Sequence, residues 1–403
     1  MQGVTLFAPE HHEPLAAPPW DESRARAGIS ELVRDAERAL TPEALWPKHP
    51  LDGDVRAVPS AKSLWVGAAG MLLGLDYLGR EGAVERERSY ASAAAALHAS
   101  YLEEPDRGLV VPGLLSGEVG VLLAAWRLAC ESKAAELLAE RVRGNIENPQ
   151  HELFHGAPGT MLAALHLWEE TGEERLRDLV RDNVDYLWSQ WRRDPEYGCH
   201  LWIQYRGGRL IRSIGAGHGF ASNVHSLLRS EELLDDARRE ELHRRAAETA
   251  GTLAVWEDGL PNWPTSADPY WAAEQPIRVQ WCHGAPGLIT SLAGLARTPE
   301  TDALLAAAGE LVWRAGPLAK GPGLCHGTAG NGFAFLALAN RTGDDAWLER
   351  ARVFAMHALG QAERARAELG RGRYSLWTGD LGVAVYLWQC LSGWQGMPVL
   401  DVL

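Results

Sequence analysis

The sequence is short of cysteine, of basic runs and of long apolar stretches, and each shortage excludes something. Five cysteines, Cys130, Cys199, Cys282, Cys325 and Cys390, are spread over 403 residues. An odd, sparse count does not build a disulfide framework, and a reducing cytosol is the simplest compartment. No apolar run approaches the length of about 18 residues that reads as a membrane span. The N-terminal MQGVTLFAPEHHEP has neither the basic region nor the apolar run of a secretory signal. Lys and Arg number 39 against 53 Asp and Glu, a net charge of −14 with no basic run. That balance argues against nucleic acid or an anionic membrane as the main partner. Sustained two-residue alternation is also scarce, so strands should be few.

What the sequence has is glycine at a period. A small-Gly-x-x-Gly signature recurs as WVGAAG (65–70), LSGEVG (115–120), FHGAPG (154–159), GHGFAS (217–222), CHGAPG (282–287), CHGTAG (325–330) and WTGDLG (377–382). The first glycines fall at 67, 117, 156, 219, 284, 327 and 379, on average 52 residues apart. Self-similarity at such a period marks a repeat architecture. Each signature precedes a run that is apolar nearly all round, such as VLLAAWRLAC at 121–130, as a helix buried on both sides requires. Between signatures lie amphipathic, Arg- and Glu-rich segments such as 173–193 and 236–256.

Each repeat is therefore an outer amphipathic helix plus an inner apolar one, and the chain reads as all-α. Seven such pairs can stack as an open solenoid or close into a ring. A ring buries every inner helix without polar capping repeats. The glycines suit the crowding of inner helices, where the absence of Cβ permits close backbone approach. If the signatures open the inner helices, seven positive dipole ends converge on one rim, which would favour an anion there. The repeats occupy 61–403 as one domain and leave 1–60 as an N-terminal segment packing on it, with no room for a separate kinase, dehydratase or protease domain.

Cys282 and Cys325 take corresponding places in repeats five and six, 43 residues apart, and His283 and His326 follow them. Two thiolates and one imidazole, Cys282, Cys325 and His326, form a catalytic-type zinc set with an open fourth position. Two alternatives stand: His283 as the imidazole ligand, or both cysteines as small buried hydrophobes. Such a zinc would carry no net charge with its ligands and would deprotonate an incoming thiol.

These residues carry a resemblance. WCHGAPG (281–287) and GLCHGTAGNGFAFLAL (323–338), within a match running from Trp65 to Trp388, resemble the lanthionine synthetase C-like proteins. That family comprises bacterial lanthipeptide cyclases and eukaryotic LanC-like proteins, and the eukaryotic group is the nearer in motifs. The resemblance implies an α/α toroid of seven inner and seven outer helices and one zinc on Cys282, Cys325 and His326. It implies addition of a thiol to dehydroalanine or dehydrobutyrine, the thiol being a peptide cysteine in cyclases and glutathione in the eukaryotic group. It also implies an active-site histidine at His218, serving as acid or base. Glu152, four residues before the first glycine of repeat three, would orient His218 or take a proton. Lys320 would pair with a thiolate or a glutathione carboxylate, and His283 would contact substrate. The expected partners are a dehydrated peptide or protein, glutathione, and a lanthipeptide dehydratase or kinase that makes the electrophile elsewhere. Ser222 departs from the pattern, standing where other repeats have glycine.

Other residues have plainer readings. His155 is a polar rim residue. Glu118 and Asp380 cap inner helices. Cys130, Cys199 and Cys390 are structural, and Trp65, Trp281 and Trp377 pack between repeats. Arg371 and Arg373 lie in a solvated loop. The proline-rich loop 257–280 borders the site, and residues 1–25 are extended, either packed across the ring or mobile. A prenyltransferase on a similar toroid would need a carboxylate among its zinc ligands, and a glycoside hydrolase would need two facing carboxylates. The non-enzymatic alternative is a zinc-stabilised peptide-binding scaffold for a kinase or dehydratase.

Overall fold

The computed structural model describes residues 5–15, 19–41, 45–52, 58–85, 88–268 and 276–403, and among these described residues fourteen α-helices alternate between two shells. The inner shell holds α2 (Ala68–Arg80), α4 (Glu118–Ala129), α6 (Ala157–Thr171), α8 (Phe220–Arg229), α10 (Ala285–Leu292), α12 (Thr328–Thr342) and α14 (Asp380–Ser392). The outer shell holds α1 (Glu22–Ala39), α3 (Ala91–Glu103), α5 (Ser132–Asn145), α7 (Glu174–Gln190), α9 (Asp236–Leu253), α11 (Pro299–Ala315) and α13 (Asp345–Leu369). Each inner helix packs on the next, and α14 packs on α2, which closes the ring as an α/α toroid. The stretch Glu22–Ala39, which the sequence assigns to an N-terminal segment, packs on α14 and fills the seventh outer place. Among the described residues the strands form three two-stranded antiparallel hairpins: β1 (Arg192–Arg193) with β2 (His200–Leu201), β3 (Gln204–Arg206) with β4 (Arg209–Ile211), and β5 (Val255–Glu257) with β6 (Leu260–Asn262).

The two shells follow from side-chain period. In α7 the buried residues are Leu176, Leu179, Val180, Asn183, Val184 and Leu187, one stripe at alternating three- and one-residue steps. In α6 every residue from Ala157 to Leu167 is buried, because α4 and α8 flank it and α5 and α7 cover it. One hydrophobic core runs through both shells.

All seven first glycines, at 67, 117, 156, 219, 284, 327 and 379, are the N-caps of inner helices. The loop ahead of each cap folds back on the helix it starts. A Cβ at Gly330 would lie 1.7 Å from the carbonyl oxygen of Leu324, and one at Gly284, where φ is +106°, would lie 2.0 Å from that of Arg278. Ser222 is accommodated in the fourth repeat, buried, with its hydroxyl donating to the Gly219 carbonyl.

Folding back also consumes the helix ends. The N–H groups of Ala68, Glu118, Phe220, Thr328 and Asp380 donate to carbonyls seven residues earlier, at 2.8–3.0 Å. In repeat five the side-chain carbonyl of Asn262 accepts from Ala285 N at 2.9 Å. These first-turn donors, in six of the seven inner helices, are thus satisfied by the protein itself and are not free for an anion. Glu118 is no cap either. It is buried and holds Arg141 at 2.7 Å and His98 at 2.8 Å, both on outer helices.

The far end of the ring is filled by the C-terminal segment. Met397, Val399 and Leu400 are buried there, and His166 donates through Nε2 to the Val399 carbonyl at 3.0 Å. On the signature side, residues 5–13 cross repeats five and six. Ile277 N donates to Thr5 O, Glu13 N to Pro317 O and Ala319 N to His11 O. Within 1–25, residues 1–4 and 16–18 lie outside the described residues. No helix among the described residues is long and apolar enough to cross a membrane.

Candidate functional site

Two places in each signature loop build the rim. Two residues before the cap glycine stand Trp65, Leu115, Phe154, Gly217, Cys282, Cys325 and Trp377; one residue before it stand Val66, Ser116, His155, His218, His283, His326 and Thr378. The backbones at the first of these places are stitched from loop to loop. Gly217 N donates to Cys282 O at 3.2 Å, Cys282 N to Cys325 O at 3.1 Å, and Cys325 N to Trp377 O at 2.8 Å. Trp377 N donates to Trp65 O at 3.3 Å, and Trp65 N to Leu115 O at 2.7 Å. Closing the ring therefore fixes the two cysteine backbones directly against each other.

The thiols of Cys282 and Cys325 and a ring nitrogen of His326 lie within 4.8 Å of one another, the thiols buried and the imidazole half-buried. Tetrahedral zinc with bonds of about 2.0–2.3 Å needs its donors roughly 3.5–3.8 Å apart, which this cluster meets with slight contraction. The chemistry of the donors points the same way. Cys325 donates a hydrogen bond to Cys282, and with the nearby charges of His283 and His326 this holds the Cys282 thiol well below its usual range despite burial. The Cys325 thiol is pushed well up by holding that proton beside an anionic neighbour in a buried site. A dication would relieve both. Gln280 Nε2 donates to Cys282 Sγ at 3.0 Å. Among the described residues this is the one group of three or more His, Cys, Asp or Glu set to hold a metal, and His283 is not in it.

Beside the cluster lies a carboxylate–imidazole pair. Glu152 Oε2 accepts from His218 Nδ1 at 2.7 Å and from Phe154 N at 3.1 Å. Its Oε1 accepts from His155 N at 2.6 Å and lies 3.2 Å from His155 Nδ1. Burial alone would raise this carboxyl, but hydrogen bonds from His155 and His218 outweigh it and hold it well below the usual carboxylate range. Glu152 is thus a buried anion, which fixes the proton of His218 on Nδ1 and leaves Nε2 for the cavity. The Phe154 ring stacks on His218 at 4.6 Å, and Trp65 packs edge-on against Phe154 at 5.2 Å. The ring of His283 lies 5.8 Å from that of His218. His155 Nε2 meets Ser116 Oγ at 2.8 Å.

Two openings flank the cluster. One is a cavity of 440 Å³ lined by His218 and His283 together with Thr265, Ser266 and Arg278. The loop 257–280 thus reaches the site through 265–266 and 278, while its residues 269–275 lie outside the described residues. The other, of 220 Å³, contains exposed Lys320, whose charge acts on Cys325, with Arg366, Arg371 and Arg373. Arg371 and Arg373 are not merely solvated, since Arg371 donates to Lys48 O and Arg373 binds Asp52 at 2.5 Å. Trp281 and Trp377 are buried between repeats, 4.6 Å apart. Cys130, Cys199 and Cys390 lie away from the cluster, and all five cysteines are unpaired.

The sequence gives no sign of the roles of Phe154 and Asn262, and only an indirect one for Gln280. Gln280 holds, in repeat five, the place that Glu152 holds in repeat three, four residues before the cap glycine. That register is the one clue that could have found it.

The profile of the family "Lanthionine synthetase C-like protein" matches residues 59–396. A LanC-like protein GCL1 from Arabidopsis thaliana is 34% identical over 221 residues, which cover 51% of this chain and 46% of that protein. Glutathione S-transferase LANCL1 from Danio rerio is 47% identical over 85 residues, 20% of each chain. The matched stretches thus span less than half of these relatives' own lengths. The solved structure of nisin cyclase superposes with a TM-score of 0.60 at 15% identity, covering 93% of this chain and all of that one, a likeness of fold.

Proposed function

Because the chain belongs to the lanthionine synthetase C-like family, and its rim gathers two thiols beside a carboxylate–imidazole pair, we propose that it adds a thiol across the double bond of a dehydroalanine or dehydrobutyrine residue, making a thioether. The observation that carries this reading is the placing of Cys282, Cys325 and His326 within 4.8 Å of one another, with the Glu152–His218 pair and its cavity alongside.

Zinc held by Cys282, Cys325 and His326 would supply the means to ionise an incoming thiol at neutral pH. The chain's own residues do the rest. A new S–C bond forms at the β-carbon, and the alkene pair moves towards the acceptor's carbonyl oxygen. His218, charged, gives a proton from Nε2 to the α-carbon as that pair returns. The thiol's lost proton balances the one delivered, so nothing leaves and the product mass is the sum of the reactants. Ionised Glu152 stabilises the charged imidazole and fixes its orientation, while Phe154 stacks against its face. His283 lies on the same cavity, where it contacts the acceptor. Lys320, on the Cys325 side, suits an anionic donor such as glutathione. Unpaired cysteines fit a reducing compartment such as the cytoplasm. The dehydrated acceptor would come from a dehydratase or kinase acting before it.

The name of the zebrafish relative favours glutathione as the thiol, and that of the structural neighbour favours a peptide cysteine. Purified protein incubated with a peptide containing dehydroalanine and one cysteine, with and without glutathione, separates them by mass spectrometry. A glutathione adduct supports the first version; a ring of unchanged mass with loss of the free thiol supports the second. Neither product from zinc-loaded protein would contradict the proposal, and the scaffold reading would stand in its place.

A further inference from the structure

The end of the ring opposite the signatures holds a cavity that thiol addition does not use. It measures 390 Å³ and lies among the ends of α8 and α10 and the C-terminal segment, with His225, Arg229, Glu231, Ser291, Trp394 and Asp401 on its wall. All of its lining residues are described. Three polar groups on this wall have no hydrogen-bond partner among the described residues. Ser291 is only 5% exposed, yet no residue bonds its hydroxyl. His225 Nε2 is buried and lies 3.1 Å from Asp401 Oδ1, out of line for a hydrogen bond. Glu231 Oε2 is buried too, with His243 Nε2 standing off at 3.3 Å, again out of line. Buried polar groups are almost always satisfied, and leaving one unpaired is costly. Three exceptions on the wall of one cavity point to a ligand that supplies the partners.

The charges on the wall select the ligand's chemistry. The guanidinium of Arg229 is already held, by Glu169 at 2.9 Å and by the Leu400 carbonyl, with Asp401 3.5 Å away. No lysine or arginine among the described residues pairs with Glu231. An anion would therefore meet two carboxylates and no free cation. A metal ion held by side chains needs three grouped donors, and among the described residues such a group exists only at Cys282, Cys325 and His326. What fits is an organic cation rich in N–H donors, with an apolar body for the Trp394 ring. We propose that this cavity binds a small protonated amine, whose ammonium donates to Glu231 and to the Ser291 hydroxyl while its carbon chain lies against Trp394.

The test titrates the purified full chain by calorimetry, at physiological salt, with pentylamine, pentanol and pentanoate, three probes that share a carbon chain and differ in the head. One pentylamine per chain is expected to bind, at least about tenfold more tightly than either of the others. Glu231→Gln should weaken it about tenfold and Ser291→Ala about threefold. Glu240→Gln, which removes an exposed carboxylate on outer helix α9, should leave it unchanged. Glu231 lies on a partly exposed turn, so its variant is expected to fold, which circular dichroism checks, and the Ser291 variant reads the site independently. Equal affinity for the three probes, or pentylamine binding that both substitutions leave intact, overturns the proposal. A short peptide with one lysine separates a free amine from a side chain. Binding of that peptide without binding of pentylamine would assign the cavity to a partner protein and overturn the small-ligand reading.

Discussion

Repeats three to six and repeats seven, one and two share one loop geometry and do different things with it. In each, a glycine caps an inner helix. Ahead of that cap, repeats three to six carry Phe154-His155, Gly217-His218, Cys282-His283 and Cys325-His326, whereas the others carry Trp377-Thr378, Trp65-Val66 and Leu115-Ser116. One arc of the rim is imidazole and thiol; the other is apolar packing. The backbone belt runs through both, from Gly217 to Leu115. The lesson is that the chemistry is laid on a frame that repeats do not have to change. Ring closure sets the spacing of the cysteines, and side chains at two places decide what that spacing is used for.

Substitutions on the two arcs should therefore fail in different ways. Cys325→Ala should have the largest effect, a fall in thioether formation of at least about 10³-fold with loss of bound zinc, read by turnover and metal analysis. Retention of zinc would erase the difference between the arcs. His218→Ala should keep the metal and lower kcat by about 10²–10⁴, as expected when a general acid is removed. His155→Ala, though its ring also reaches Glu152, at 3.2 Å, should cost far less. Glu152→Gln should cost about 10–100-fold, the usual effect of removing a partner that orients an active group, with a shifted pH profile that a merely structural role would not produce.

On the apolar arc the currency is stability. Leu115→Ala, at the register of the two cysteines, should lower unfolding free energy by about 2–5 kcal/mol with zinc content unchanged. Asp380, at the start of α14, gives the smallest effect. Burial pushes its carboxyl from 3.8 up to about 6, against the opposing pull of Arg366. Between those pH values the folded chain holds a proton that the unfolded chain releases, so this contribution is full below pH 3.8 and is lost as pH rises through 6. Asp380→Asn should remove the loss, so that denaturation curves of variant and wild type agree near pH 4 and part by at most about 3 kcal/mol above pH 7.

The ring was legible because its determinants are local. A glycine that cannot accept a Cβ must recur in every loop, so the seven caps could be counted directly. The inner and outer helices differ in period, so the shells could be told apart. Equal register in adjacent repeats pairs Cys282 with Cys325, but it places His283 and His326 alike, and it is the geometry that groups His326 with the two cysteines and leaves His283 out. Other features escaped because they rest on contacts between distant segments. Nothing in the sequence tells that Glu118 would serve Arg141 and His98 rather than a helix end, or that the loop carbonyls would use up the N–H groups of the caps. The sequence reads Glu22–Ala39 only as part of a segment packing on the ring, not as its seventh outer helix, because it precedes the first signature while its partner α14 follows the last. Asn262 carries no motif, and the role of Phe154, though it opens a signature, appears only when its neighbours in space are known.

The central claim, that one arc of the rim holds a single metal while the other holds only the fold, is tested most directly by loading zinc-free protein with cobalt(II). One equivalent should bind, with the sulfur-to-metal charge-transfer absorption of a two-thiolate site. That spectrum should survive His283→Ala, change in His326→Ala and vanish in Cys282→Ala/Cys325→Ala. Absence of binding by the folded wild type, or a spectrum that depends on His283 and not on His326, would contradict the account.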